Sequence, residues 1–181
     1  MKLKAELPLP IFSPTEEFER LYVRPKPGRT LVVGSYIVDG RPDRRALYPD
    51  VLGVDMRDGP GVDLVANLEN ENVGSFSHID CISALEHSPR PWLLAANIEG
   101  MMNSGSTIYL SVPFVWNLHA HPSDYFRFSA DAIKALFPLV NWSALKYASD
   151  RLDDGVKTVR KIIDGHIYIS RTQVLGFGVR V

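Results

Sequence analysis

"TLVVGSYIVDG", residues Thr30 to Gly40, decides how the chain is read. Four apolar or β-branched residues run without interruption into Gly34. A near-continuous run of this kind fits a strand buried on both faces, and a glycine at its end supplies the freedom of a tight turn. In open parallel sheets, ligands collect beyond the carboxyl ends of the strands. Gly34, Ser35 and Tyr36 therefore stand where a cofactor loop is expected.

The dinucleotide pattern G-x-G-x-x-G, started at Gly34, places Tyr36 and Asp39 at its second and third glycines. A tyrosine blocks close backbone approach to a pyrophosphate, and an aspartate repels one. NAD and FAD are disfavoured on those grounds, and no G-K-[ST] follows to make a P-loop. A dinucleotide oxidoreductase would be revived by bound NADH fluorescence. A cofactor without phosphates tolerates this turn.

Further strands follow. "VLGVDM" ends at Asp55, 21 residues beyond Gly34. A carboxylate at that distance suits a ribose, since it accepts from both hydroxyls; it equally suits a cap on the turn "RDGPG". "DLVANL" reads as a short third strand, with Asn67 facing a purine edge or serving as a loop asparagine. "IDCISAL" is a fourth, after which Glu86 or His87 either reaches the site or begins the next helix. "STIYLSVP" is a fifth.

Helices are expected at "SPTEEFERLYV", with Ser13 as N-cap, Pro14 at the first position, Glu16 completing a capping box, and Phe18, Leu21 and Tyr22 on one face. They are also expected from Pro91 to a closing Gly105, and after Ser129 in "SADAIKALFP". "RPDRRALYP" is a short helical or turn segment. The end, "GHIYISRTQVLGFGVRV", reads as one or two strands and implies an antiparallel edge, apolar enough for pairing. Strands alternating with helices imply an α/β fold with a mostly parallel sheet and right-handed crossovers. A single domain is expected over residues 1–181, with an extended, proline-rich arm at 1–13.

Composition narrows the function classes. Twenty Lys and Arg against 21 Asp and Glu leave no basic footprint for nucleic acid, although Arg41, Arg44 and Arg45 cluster. The lone Cys81 allows no intramolecular disulfide and sits in an apolar run, as a small buried side chain. No apolar run reaches the ~20 residues of a membrane span. "MKLKAELPLP" is not a signal peptide, and a cytoplasmic location is expected.

A nucleoside-bearing cofactor without phosphates, on a Rossmann-like sheet, suggests S-adenosylmethionine (SAM). The sequence also resembles class I SAM-dependent methyltransferases of the small "methyltransferase type 11" kind. The resemblance rests on "LVVGSYIV", "VLGVDMRDGPGVDLVANLEN", "IDCISALEHSPRPW" and "IYLSVPFVW…HAHPSDYFRFS", covering about residues 30 to 138. The first motif departs from the family's G-x-G, being Gly34-Ser35-Tyr36. The resemblance implies a Rossmann-like three-layer sandwich whose seven-stranded sheet ends in an antiparallel C-terminal hairpin. It implies that Gly34 and Ser35 line the methionine end of SAM, that Asp55 holds the ribose with Met56 near the adenine, that Asn67 and Leu68 flank the adenine, and that Leu85 and Glu86 lie beside the cofactor.

The segment "PFVWNLHAHPSDYFRF" follows the fifth strand and overhangs that cofactor site. Methyl transfer is an in-line displacement in which the protein mostly aligns donor and acceptor, helped by a base when the acceptor is a hydroxyl or amine. His121 is the candidate base, with His119 in reserve. Asp124 orients that histidine or binds a hydroxyl, as does Tyr125, and Arg127 meets an anionic substrate. Each of these residues also has a purely structural reading, in loop hydrogen bonds or core packing. H-x-H puts two rings on one face, with Asp124 or His87 as a further ligand, but no fixed ligand spacing accompanies it and no metal is assigned. The expected function is methyl transfer to a small-molecule or saccharide-like acceptor. The alternative is a catalytically inactive protein of the same fold that binds a nucleoside ligand or acts as an interaction module. Oligomeric state is not encoded in any pattern here.

Overall fold

The structure, a computed structural model, describes residues 15–38, 41–120, 122–149, 161–163, 166–168 and 172–181. The expected arm, the Ser13-Pro14 helix start, Asp39 and His121 lie outside the described residues. A first helix, α1 (Thr15–Tyr22), precedes β1 (Thr30–Val33), β2 (Val51–Asp55), β3 (Leu64–Val65) and β4 (Phe76–Ile82). Helix α2 (Pro91–Gly100), β5 (Met102–Val115), α3 (Ala130–Leu136) and β6 (Val140–Ser149) follow. A small ribbon of β7 (Lys161–Ile163) and β8 (His166–Tyr168) leads to β9 (Thr172–Arg180).

Seven strands form one sheet in the order β3-β2-β1-β4-β5-β9-β6. Pairings from β3 through β5 are parallel, and β9 runs antiparallel to both of its neighbours. The α/β architecture with a mostly parallel seven-stranded sheet and an antiparallel partner at its C-terminal side is thus present. The last strand is not an edge, however: β9 is inserted between β5 and β6. Its continuous apolar run, from Val174 to Phe177, is buried by strands on both sides. The strand that does close this side, β6, was not visible in the sequence, where exposed Asn141 and Ser143 interrupt its apolar positions.

Strand alternation divides the core between two faces. Leu31, Val33, Val54, Cys81, Ile108 and Leu110 pack under α2 and α3, against Leu94, Ile98 and Ile133. Tyr109, Leu175 and Phe177 face the other way, under Phe18 of α1. Of the apolar stripe expected on α1, Phe18 is fully buried but Leu21 is exposed. Pro91 opens α2 as expected, but the helix stops at Gly100, and β5 takes over Gly105. Ala132 N donates to the Ser129 hydroxyl oxygen at 3.1 Å, which caps α3. Cys81 is buried, and burial pushes its thiol pKa up, which suits a core side chain rather than a nucleophile.

Among the described residues β1 does not lead into an α-helix. After Gly34, the chain runs across to the β2–β3 turn, where Ile37 N donates to the Pro60 carbonyl at 2.8 Å. Among the described residues only a 3-10 turn, Arg44–Leu47, lies between β1 and β2. That turn holds two of the three clustered arginines in ion pairs. Arg44 pairs with Asp80 and Glu19, and Arg45 with Asp43 and Asp63. Among the described residues no helix is long and apolar enough to cross a membrane.

Candidate functional site

The carboxyl ends of β1, β2, β3 and β4 supply one wall of the site. Gly34 turns off β1 at φ 69°, a left-handed conformation that other residues rarely adopt. A Cβ placed there would stand 3.2 Å from Ala84 Cβ, so the β1 and β4 turns are in close contact. Ser35 is buried beside it, and its hydroxyl has no hydrogen-bond partner among the described residues. Ser83, at the end of β4, holds φ 50° without being a glycine, a strained conformation of the sort found at functional sites.

Tyr36 does not turn toward Ala84. Its ring lies against Gly59, where a Cβ would meet Cε2 at 2.4 Å, and the Arg57 guanidinium covers it at 4.4 Å from the centroid. Asp55 joins these pieces: Oδ2 accepts from Tyr36 N at 3.2 Å and Oδ1 from Arg57 N at 3.0 Å. The carboxylate thus caps the turn after β2 and ties it to the turn after β1. Met56 beside it is exposed. At the end of β3, Asn67 Oδ1 accepts from Glu69 N at 3.0 Å in a local turn, and Leu68 is buried in the core. Leu85, on the 3-10 turn Leu85–His87, is fully buried.

The loop over residues 116–120 and 122–129 is held by the 3-10 turn. The Glu86 carbonyl accepts from Tyr125 N at 2.8 Å, and His87 Nδ1 meets the Ser123 carbonyl at 2.5 Å. Asp124, its side chain fully buried, is gripped by Arg127 through Nη1 at 2.5 Å and Nη2 at 2.7 Å. It also accepts from His119 N at 2.9 Å, and its Oδ2 stands 3.2 Å from His119 Nδ1. Arg127 and these bonds hold the Asp124 carboxyl well below the usual carboxylate range. Arg127 spends its remaining donors on the carbonyls of Trp116, Asn117 and Phe126. It is thus a brace for the loop, not the expected contact for an anionic substrate.

Among the described residues, Asp124 orients His119, the histidine held in reserve by the sequence reading. Its Nε2 points to Glu86 Oε1 at 3.7 Å, and contact with that carboxylate raises the histidine's pKa. Tyr125 is half exposed at the rim. Glu86 was foreseen beside a cofactor; its approach to His87 and His119 was not, because it depends on how the loop folds back.

No protein-family model matches the sequence, and no curated protein matches it at a significant level. Solved structures do match. A putative methyltransferase in complex with the Haloferax volcanii Trm112 methyltransferase activator superposes with a TM-score of 0.63 at 15% identity, covering 91% of this chain and 87% of that one. The [4+2]-cyclase SpnF gives a TM-score of 0.62 at 11% identity, with 91% and 79% covered. A Burkholderia thailandensis N1-methyltransferase with bound 1,6-didemethyltoxoflavin and S-adenosylhomocysteine gives 0.59 at 13%, with 84% and 71% covered. The chain has the fold of class I SAM-dependent methyltransferases.

Proposed function

We propose that the protein binds SAM over the carboxyl ends of β1 to β4 and transfers its methyl group to a small-molecule or saccharide-like acceptor. The observation that carries this is the seven-stranded sheet with its one reversed strand, on a fold similar to that of solved structures that hold S-adenosylhomocysteine. A fold alone does not carry function, so the local residues matter. They fit the cofactor. Gly34 leaves bare backbone at the end of β1, and the buried Ser35 hydroxyl beside it lacks a partner. Each Asp55 oxygen keeps a second lone pair after capping its turn, enough to accept from a ribose. Met56, Asn67 and Leu68 would flank the adenine, with Leu85 and Glu86 beside the rest of the cofactor.

When bound, SAM supplies a methyl group on a sulfonium that leaves as a neutral thioether. The chain's own work is to align the acceptor and remove its proton. We assign proton removal to His121 and acceptor binding to Tyr125 at the rim. Asp124, consumed by Arg127 and His119, is a positioning residue. A second reading, a protein of this fold that binds a nucleoside ligand without methyl transfer, draws support from the Asp55–Tyr36–Arg57 closure at the end of β2. Calorimetric titration with SAM and S-adenosylhomocysteine separates the two. Micromolar binding of SAM, with methylated product from an acceptor panel detected by mass spectrometry, supports transfer. Binding without turnover favours the second reading, and no binding up to millimolar overturns methyl transfer and points to a fold kept for another purpose.

A further inference from the structure

Glu86 poses a problem that cofactor binding does not solve. Its side chain is fully buried, and neither carboxylate oxygen has a hydrogen-bond partner among the described residues. A buried carboxylate without donors is costly and calls for a cation. Two imidazoles face it: His119 Nε2 stands 3.7 Å and His87 Nε2 3.9 Å from Oε1. One ligand atom from each of the three residues lies within 4.8 Å of the others.

The outer contacts of both rings decide their tautomers. His87 Nδ1 meets the Ser123 carbonyl at 2.5 Å. His119 Nδ1 meets the Asn117 carbonyl at 3.1 Å and the Asp124 carboxylate at 3.2 Å. These oxygens only accept, so Nδ1 carries a proton in each ring, and in the neutral imidazole the Nε2 lone pair is the one directed toward Glu86. Metal-binding histidines are held in this way, with the second nitrogen donating to a carbonyl or carboxylate.

We propose that Glu86, His87 and His119 form a three-ligand site for a divalent transition-metal ion of the zinc class. Tetrahedral ligand atoms ~2.1 Å from zinc stand about 3.4 Å apart; the two edges to Glu86, at 3.7 and 3.9 Å, lie a few tenths of an ångström outside that spacing, and the edge between the histidines is within 4.8 Å, so binding an ion draws the two rings together. Two imidazoles and one carboxylate are too rich in nitrogen for magnesium or calcium. Three protein ligands leave a coordination position open, as in catalytic rather than structural zinc sites. The competing occupant is a proton shared between His119 and Glu86, which needs no metal.

The test uses the untagged full chain, freed of metal by chelator dialysis and titrated without SAM, so its outcome is independent of methyl transfer. Calorimetry with zinc chloride is expected to give one equivalent bound at micromolar affinity or tighter. Cobalt(II) is expected to give visible absorption typical of low coordination number. Glu86→Gln, which keeps shape and removes charge, and His87→Gln should each abolish both signals. Asp124→Asn, which touches only the outer side of His119, should weaken zinc roughly 10–100-fold. Far-UV circular dichroism checks each variant's fold, and either ligand variant suffices. Less than a tenth of an equivalent bound by the wild type, or zinc affinity unchanged in a folded ligand variant, overturns the site and leaves the proton as occupant.

Discussion

Arg44 reaches across the sheet to Asp80 in the middle of β4, with Nε 2.9 Å and Nη2 2.7 Å from the same carboxylate oxygen. Asp80 has no exposed side-chain surface, and Tyr48 donates to it as well, at 2.5 Å. Breaking a buried pair strands a charge, so Arg44→Ala should cost about 3–5 kcal/mol in urea unfolding. Replacing both partners, as Arg44→Met with Asp80→Leu, should recover part of that loss. Glu19→Ala, removing the partly exposed outer member, should cost no more than about 1 kcal/mol. Equal costs for the three variants would contradict this account.

His78 sits in the same buried layer, with Nδ1 2.9 Å from Thr107 Oγ1. Burial pushes its pKa down to about 4. A histidine whose folded pKa lies below its unfolded value is stable as the neutral form. Its contribution is complete above pH ~6.5 and is lost as pH falls toward 4, by up to about 3 kcal/mol. Unfolding curves from pH 7.5 to 4.5 should show wild type losing stability faster than His78→Asn. NMR should find the imidazole still neutral at pH ~5.5.

Asp55→Ala removes the acceptor for two backbone N–H groups, so about 1 kcal/mol of folding stability should be lost. If the same carboxylate holds the ribose, SAM binding should weaken by a further 1–3 kcal/mol, roughly 5–150-fold. A lower melting temperature with an unchanged SAM dissociation constant would make Asp55 a turn cap alone.

Arg127→Lys keeps the charge but cannot reproduce the fork onto Asp124 or reach the Trp116 and Asn117 carbonyls together. The expected result is a loosened loop: faster hydrogen exchange and proteolysis between Trp116 and Ser129, at a cost of about 1–3 kcal/mol. Exchange in β4 and β5 should be unaffected. Uniform loosening would show that the arginine supports the whole domain instead.

The strands nearest the site were the most legible part of the chain. "TLVVG" and "TIYLSVP" are near-continuous in apolar residues and buried along their length, as strands covered on both faces are, and that pattern is local to each run. Pro91 and Ser129 marked helix starts because their effects are local. β6 escaped notice because an edge strand exposes every other residue unevenly, and Gly105 misled because a glycine within a strand resembles one that ends a helix.

The local pattern of apolar runs, caps and turn residues determined the α/β class, and Tyr36 and Asp39 alone disfavoured a dinucleotide. Tertiary structure decided the rest, because it depends on pairs distant in the chain. The position of β9 is set by simultaneous pairing with β5 and β6. Arg44, read as one of a basic cluster, and Arg127, read as a contact for an anionic substrate, are engaged by Asp80 and Asp124. Glu86 meets His119 only because the loop folds back onto the 3-10 turn through the Tyr125 amide. Such contacts follow from the closing of the chain on itself, which no local pattern of residue types encodes.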